Sequence, residues 1–504
     1  MLNLSYNHLN VKIPTRTQLQ TFYVSNFVGN ILCSSNGKIH SNDQIGKGSD
    51  RHGVIGQLLS MALLFKFNMG EVFGLVHIYR LDHVRFLHCL RLRFKLKKWR
   101  TLTWTWKSVL RFKFNTSYGY YEDYEAYIRS IFAANGTIPS QIGNLSNLVY
   151  LDLSNSLEPL FAENLDWLSS LSKLEYLHLG YANLSNSFDW LHTLQALPSL
   201  TDLHLSQCTL PRYSQPSLLN FSSLLTLDLS FTSYSSAISS IPRWIFGLRK
   251  LVSLQFSYNN IQGPIPDGIQ NLTLLQNLDL TFNSLSSSIP EWLYGLHHLK
   301  SLSIEFNKLN GTISDALGNL TSLVELHLSN NQLEGTIPTS LVNLTSLVEL
   351  DLSNNQLSEN PFESLRSLSK LSYLEIEGNH FEGIIKEDHL ANLTSLEVFY
   401  ASGNNFTLKV GPNWLPTFQL TDLDMSSWQL GPNFPSWIQS QNKIGYLHMP
   451  NTGISNSIPT WFWETFSQAF YINLTHNHIH GELATTKRIP ISINTVDLSR
   501  NHLC

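Results

Sequence analysis

Leu323–Leu357 reads LVELHLSNNQLEGTIPTSLVNLTSLVELDLSNNQL, and inside it one phrase, LVELxLSNNQL, is written twice. The phrase is an instance of LxxLxLxxNxL. Working outward, LVSLQFSYNNI, LLQNLDLTFNSL, LKSLSIEFNKL and LSYLEIEGNHF carry the same pattern to either side. Its asparagine falls at Asn259, Asn283, Asn307, Asn331, Asn355 and Asn379, 24 residues apart each time, and returns at Asn404, Asn477 and Asn501. In degenerate copies the slot holds Ser156, Ala182, Cys208, Thr232, Trp428 and Thr452, so about fifteen repeats occupy 135–504.

Self-similarity at a period in the twenties, with leucines at these offsets, is the mark of a leucine-rich repeat. Each LxL is expected to form a short strand with its leucines pointing inward and the residue between them outward. One repeat cannot bury its leucines alone, whereas stacked repeats share a continuous core. The expected fold is therefore an α/β repeat: a right-handed leucine-rich-repeat solenoid with a parallel sheet on the concave face and 3₁₀ or irregular chain on the convex side. The asparagine amide has a matching task, bridging backbone N–H and C=O groups at a buried turn to the next coil. Cys208 and Thr232 are weaker substitutes, and Ala182 offers nothing.

Composition narrows the partners. The 504-residue chain is 42% hydrophobic and only 14% charged, with a net charge of −4, and nucleic acid needs a concentrated basic surface. No nucleic-acid partner is expected; the one basic cluster, Arg91, Arg93, Lys95, Lys97, Lys98 and Arg100, is local. Cys33, Cys89, Cys208 and Cys504 are too scattered for a disulfide framework or a CxxC metal site.

After several strands the chain reads GPIPDGIQNL (Gly263–Leu272), GTISDALGNL (Gly311–Leu320) and GTIPTSLVNL (Gly335–Leu344), with GTIPSQIGNL from Gly136. This GxIPxxLxxL extension resembles the plant-specific class of leucine-rich repeats, which implies a second short strand, 3₁₀ turns and a superhelical twist. FAENLDWLSSLSKLEYLHL (Phe161–Leu179) resembles membrane-anchored plant receptor-like proteins, nearest those of the fungal-xylanase elicitor type. MLNLSYNHLNVKIP, with Asn7 in the asparagine slot, and TRTQLQTFYVSNFVGNILC (Thr15–Cys33) resemble the last repeat and closing cap of that family. The expected organisation is one repeat plus a cap-like segment (1–33), then a spacer, a degenerate membrane-helix-like segment and a basic tail (34–100). An irregular linker (101–134) and the array (135–504) follow, the array stopping in mid-repeat at NHLC. Tail before head is the order of a fused or truncated receptor gene product. With no cysteine-bearing cap in Thr101–Ala134, the edge of the first coil is expected to be exposed.

Val54–Tyr79 sits where the family has its membrane helix, but a span needs about 20 apolar residues. Here Lys66 and Glu71 interrupt the run, and a charge at mid-membrane costs about 2.5–3.5 kcal/mol. Membrane association through this degenerate segment and a decayed span both stay open. Met1 runs directly into a repeat, without the pattern of a signal peptide. Thirteen N-x-[ST] sequons, among them Asn144, Asn183, Asn220, Asn271, Asn319, Asn343 and Asn392, are glycosylation candidates, although the repeat consensus itself generates NLT and NLS. The resemblance implies a plasma-membrane or extracellular location.

In a solenoid the extended strand face is the recognition surface. Its central column reads Asp152, His178, His204, Asp228, Gln255, Asp279, Ser303, His327, Asp351, Glu375, Tyr400, Asp424, His448, Asn473 and Asp497. A flanking column adds Tyr150, Tyr176, Asp202, Glu325, Glu349, Tyr373, Asp422, Tyr446 and Tyr471. Asp279, Glu325, His327, Glu349, Asp351, Tyr373, Glu375, Tyr400 and Asp424 are the expected ligand-binding residues. Acidic groups interleaved with aromatic anchors suit a basic protein or peptide. Histidines in acidic surroundings are expected to gain charge, making affinity pH-dependent.

No catalytic residue, cofactor or metal is expected. The Gly-rich loop, HRD and DFG of a kinase are missing, and GKGSDRHG (Gly46–Gly53) lacks the strand and helix context of a phosphate loop. His476, His478 and His480 lie within a repeat where alternate residues face outward, which argues against a metal cluster. The resemblance implies a receptor that binds a protein or peptide elicitor and signals through a co-receptor kinase. A soluble inhibitor of a cell-wall hydrolase and a non-functional rearranged fragment are the alternatives.

Overall fold

A computed structural model describes residues 136–154, 160–211, 221–232, 241–481 and 493–503, together with the backbone of Leu2–Asn3 and Arg111–Phe114. All of them fall in one compact unit. Residues 54–79, the Thr15–Cys33 segment, the basic cluster, Asn220, Cys33, Cys89 and Cys504 lie outside the described residues. No helix among the described residues is long and apolar enough to cross a membrane.

The repeats stack as one sheet of 17 strands, of which Leu2–Asn3 and Arg111–Phe114 come from outside the array and the other fifteen supply one strand per repeat. Adjacent repeats pair in parallel without slippage: Glu325 lies opposite Glu349, Leu326 opposite Leu350 and His327 opposite Asp351. The register follows from the leucines. Leu323, Leu326, Leu328 and Leu333 are buried, and a shift of one residue would turn each of them to solvent. One core cluster runs unbroken from Ile138 to Leu503, as it must where each coil covers the apolar edge of the last.

The GxIPxxLxxL extension builds the other side. Gln262–Gly263, Ser284–Ser287, Lys308–Thr312, Gln332–Gly335, Gln356–Glu359, His380–Ile385 and Asn405–Leu408 form a second, 7-stranded parallel sheet. The proline then starts a 3₁₀ turn, as Pro266 does for Asp267–Asn271 and Pro338 for Thr339–Asn343. Its ring fixes φ near the required value and it has no N–H to leave unpaired. Where Ser314 replaces proline, its hydroxyl accepts the Ala316 N–H at 3.2 Å instead.

Buried turns are closed by the asparagines. Asn331 Nδ2 donates to the carbonyls of Ile304 in the preceding coil and of Leu328 and Ser329 in its own (3.0, 3.1 and 3.1 Å), while its Oδ1 accepts the Leu309 N–H at 3.0 Å. Asn355, Asn379, Asn404, Asn477 and Asn501 repeat the arrangement. Other residues in the slot use whatever donor they have: Cys208 Sγ reaches Leu179 O at 3.0 Å, and the Trp428 indole N–H reaches Ala401 O at 2.9 Å. Burial pushes the Cys208 thiol up to about 12, so this cysteine is a packed donor and not a nucleophile.

Both edges of the long sheet are occupied. Residues 101–134 were expected to be irregular, but they contribute Arg111–Phe114, which pairs antiparallel with Leu148–Asp152. The reason is that a sheet edge carries a row of unpaired N–H and C=O groups that any extended segment can satisfy. At the other end Leu2–Asn3 pairs in parallel with Thr495–Asp497, Leu2 opposite Val496 and Asn3 opposite Asp497. This two-residue strand extends the sheet beyond Thr495–Asp497.

Two predictions follow from these contacts. Asn331→Ala should lower stability by roughly 1–3 kcal/mol in urea unfolding, because the Ile304 and Leu328 carbonyls and the Leu309 N–H lose their partner; a variant as stable as the parent would show that the amide bridges contribute nothing net. Deleting Met1–Asn10 should speed amide hydrogen exchange across Val496–Leu498, and unchanged exchange there would show that the added strand does not protect this edge.

Candidate functional site

The outward residues of the strands form columns because parallel register sets equivalent positions side by side, about 4.7–4.9 Å apart. Neither column holds a lysine or an arginine. Acidic groups accumulate in the middle of the array, where Gln255, Asn277, Asp279, Ser301, Ser303, Glu305, Glu325 and His327 line an open hollow of about 440 Å³.

His327 is the hub. Its Nδ1 lies 3.5 Å from Glu305 Oε1 and its Nε2 lies 3.6 Å from Glu349 Oε2. Burial works against charging this ring, but the hydrogen bond and charge of Glu305, helped by Asp351 and Glu349, outweigh it and hold the pKa above its ordinary value of 6.5. Burial would also raise Glu305, yet the His327 contact keeps that carboxyl below its ordinary range. Asp351 moves the other way, raised by burial and then by the Glu305 charge. Glu305, His327 and Asp351 each bring one nitrogen or oxygen atom within 4.8 Å of the others, two carboxylates around one imidazole.

The remaining expected residues divide between this cluster and its surroundings. Glu325 accepts from Ser301 Oγ at 2.8 Å. Three of the aspartates are partly committed to the fold: Asp279, Asp351 and Asp424 each accept, through Oδ1, the N–H two residues on, at 2.9 Å. Asp351 is only 8% exposed, so its carboxylate is offered to neighbours more than to solvent. Tyr373 bonds Glu375 through its hydroxyl, and Tyr400 donates to Asp422 at 3.1 Å. Tyr400 and Asp424 stand on strands beyond Tyr373–Glu375 and do not join the His327 cluster. The histidines also differ among themselves. Burial lowers His448 below its ordinary value despite Asp424 and Asp497, so only part of the histidine column gains charge as expected. His476 contacts Arg500 and His478 contacts His502, so these two side chains are turned to separate partners.

Reading by columns missed two features. Glu305 and Glu377 occupy the position after the second leucine of LxL, which elsewhere is mostly serine or threonine; a charged residue in that slot was the available signal. The second feature is a row of exposed rings in the residue before the asparagine slot: Phe231, Tyr258, Phe282 and Phe306, 44%, 42%, 36% and 41% exposed. Their centroids stack at 3.9, 4.1 and 4.0 Å with planes within 9–14°. All four have φ between 51° and 55°, the left-handed region, which costs a bulky residue on the order of 1–3 kcal/mol. Ring stacking returns about 0.5–1.5 kcal/mol per pair. In other coils the same position holds Asn330, Asn354, Gly378 and Gly403, residue types that enter this region far more easily, but also Tyr181, Gln207, His476 and Arg500.

Among the sequons, Asn144, Asn271, Asn319, Asn343 and Asn392 are exposed. Asn183 is half-buried, with Oδ1 accepting the Ser185 N–H at 3.1 Å.

Residues 215–332 and 287–452 match the family described as leucine-rich repeat region. Over 121 residues the chain is 37% identical to receptor-like protein EIX1 and 34% identical to receptor-like protein EIX2, both of Solanum lycopersicum; each match covers 24% of this chain and 12% of the relative. Receptor-like protein 14 of Arabidopsis thaliana is 34% identical over 99 residues, 19% of this chain and 10% of the relative. The matched segments are thus a small share of those relatives' length. Among solved structures, the plant peptide hormone receptor RGFR1 in complex with RGF2 superposes with a TM-score of 0.55 at 23% identity, over 73% of this chain and 61% of that one. A TDR receptor gives 0.52 at 24% identity, over 73% and 62%. These structural likenesses establish the fold.

The charge pair at the centre sets a pH window. Glu305 contributes above its unfolded value near 4.5, and His327 contributes below its unfolded value near 6.5, a contribution lost as pH rises through its raised folded value. The stability gap between the parent and His327→Gln should therefore be widest between about pH 4.5 and 6.5 and narrow on both sides, as measured by melting across pH at low salt. A gap independent of pH would remove the ion pair from the account.

Proposed function

We propose that this chain is a plant leucine-rich-repeat receptor-like protein that binds a protein or peptide elicitor on the strand face and relays the event through a partner co-receptor kinase. The observation that carries this reading is a strand face with carboxylates gathered around His327 and with no lysine or arginine in either outward column. Acidic groups in this number repel one another unless a cation arrives, so the complementary ligand is basic. Charge complementarity of this kind sets orientation and on-rate more than raw affinity. The plant peptide hormone receptor of like fold was solved with a peptide bound, which supports a peptide or protein ligand here. The exposed sequons and the receptor-like relatives support a glycosylated receptor-like protein, and we read it as one at the cell surface engaged in defence signalling. The proposal assigns binding and no catalytic step.

The test is selection followed by charge reversal. The full chain, expressed in plant cells, is panned against a random peptide display library, and the recovered peptides are measured again on Glu325→Lys/Glu349→Lys. Recovered peptides should be rich in lysine and arginine and should lose at least tenfold in affinity on the double variant. A neutral pool, or one indifferent to the reversal, would overturn the reading; cross-linking in leaf membranes should in addition recover a kinase.

A further inference from the structure

The ring row and the acidic hollow share the same coils. Phe282 lies three residues after Asp279, Phe306 follows Glu305, and Tyr258 belongs to the coil of Gln255, while Asp279, Glu305 and Gln255 all line the hollow. The two features are also electrostatically in touch. Burial first, then the charges of Asp279 and Glu305, raise the Tyr258 hydroxyl above its ordinary value. The row is held in place by main-chain bonds, each ring residue donating its N–H to the following coil: Phe231 to Ser257 O, Tyr258 to Thr281 O, Phe282 to Glu305 O and Phe306 to Ser329 O, at 2.9–3.1 Å.

Because the rings stack face to face, their faces are used up on one another, and what remains accessible along the row is a strip of C–H edges. Such a strip meets aliphatic side chains or the face of another ring; it does not offer the open π-face that a cation prefers. The cation's place is the adjoining hollow. The same left-handed position holds Tyr181, Gln207, His476 and Arg500 in other coils, so what distinguishes coils 231–307 is the succession of four exposed, stacked rings beside the acidic hollow.

We propose that coils 231–307 form a two-part subsite for a peptide segment of the ligand that carries a basic side chain with an aliphatic or aromatic one close to it in sequence. The basic group enters the hollow lined by Asp279, Glu305 and Glu325, and the apolar one lies on the edges of Tyr258, Phe282 and Phe306. This assignment rests on the reading of the strand face as a basic-ligand site and adds the position and the apolar partner.

The experiment uses the peptide pool already described, measured on the full chain and on Tyr258→Asn/Phe282→Asn. Asparagine occupies the same backbone position at Asn330 and Asn354, so the fold is expected to survive, and melting checks it. The double variant should bind the pool at least tenfold more weakly, and a pool selected on it should keep lysine and arginine but lose the adjacent apolar residue. If instead the variant binds like the parent while Glu325→Lys/Glu349→Lys loses binding, the subsite is wrong and the strand-face reading stands. Indifference to both variants would sink both. A parent that light scattering shows as a dimer, and a variant that is monomeric, would assign the row to a second copy of the chain and overturn the proposal. Should the variant fail to fold, peptides bearing a photo-reactive phenylalanine analogue beside the basic residue serve with the parent chain: labels on Tyr258, Phe282 or Phe306 support the subsite, and labels elsewhere refute it.

Discussion

A turn of backbone that is buried on all sides must find partners for its own N–H and C=O groups, and in the central repeats each coil finds them through a slot residue that recurs every 24 residues. Asn331 serves the coil before it and its own coil at once. An unpaired buried amide costs about as much as a hydrogen bond is worth, so a coil without its neighbour is left with both the exposed leucines and the orphaned turn. The slot accepts Cys208, Thr232, Trp428 and Thr452 because each brings a hydrogen-bond donor to much the same place. What it selects is a donor of suitable reach, and asparagine meets that need with an acceptor as well.

The same constraint frees the strand face. With the leucines and the amide bridges holding the register, the residue between the leucines is under little packing demand and can hold a charge. The chain uses that freedom for acids, part of whose capacity goes back into the fold: Asp279, Asp351 and Asp424 each brace the turn that follows their strand. The second oxygens of Asp279 and Asp351, with Glu305, Glu325 and Glu349, leave a negative surface around His327. His327 is the internal counter-charge, close enough to two carboxylates to be held protonated above its ordinary range. On the proposed reading, a basic group of the ligand and a proton on His327 would compete for the same carboxylates, and recognition would be coupled to pH.

The ends of the array matter for a different reason. A parallel sheet of stacked coils has two open edges, each a template for association. Arg111–Phe114 covers one and Leu2–Asn3 the other, although the second strand belongs to a segment that, in a linear reading, precedes the array.

Much of this was legible in the residues. The spacing of leucines and asparagines determined the coil, the parallel sheet and the two outward columns, because period and burial are properties of the chain itself. GxIPxxLxxL marked the second strand and the 3₁₀ turns through its resemblance to the plant-specific class of repeats, and the proline suits the start of such a turn because it fixes φ and lacks an N–H. Tertiary structure alone decided which outward residues meet. Glu305 joined His327 and Asp351 from a slot usually held by serine or threonine, and the rings at Phe231, Tyr258, Phe282 and Phe306 formed a row from positions 24 to 27 residues apart. It also separated Tyr400 and Asp424 from the cluster, tied three aspartates into turns, and gave His327 and His448 opposite shifts. The reason is physical: periodicity states which side of the strand a residue faces, whereas charge, stacking and protonation depend on which neighbours the adjacent coils place within a few ångströms.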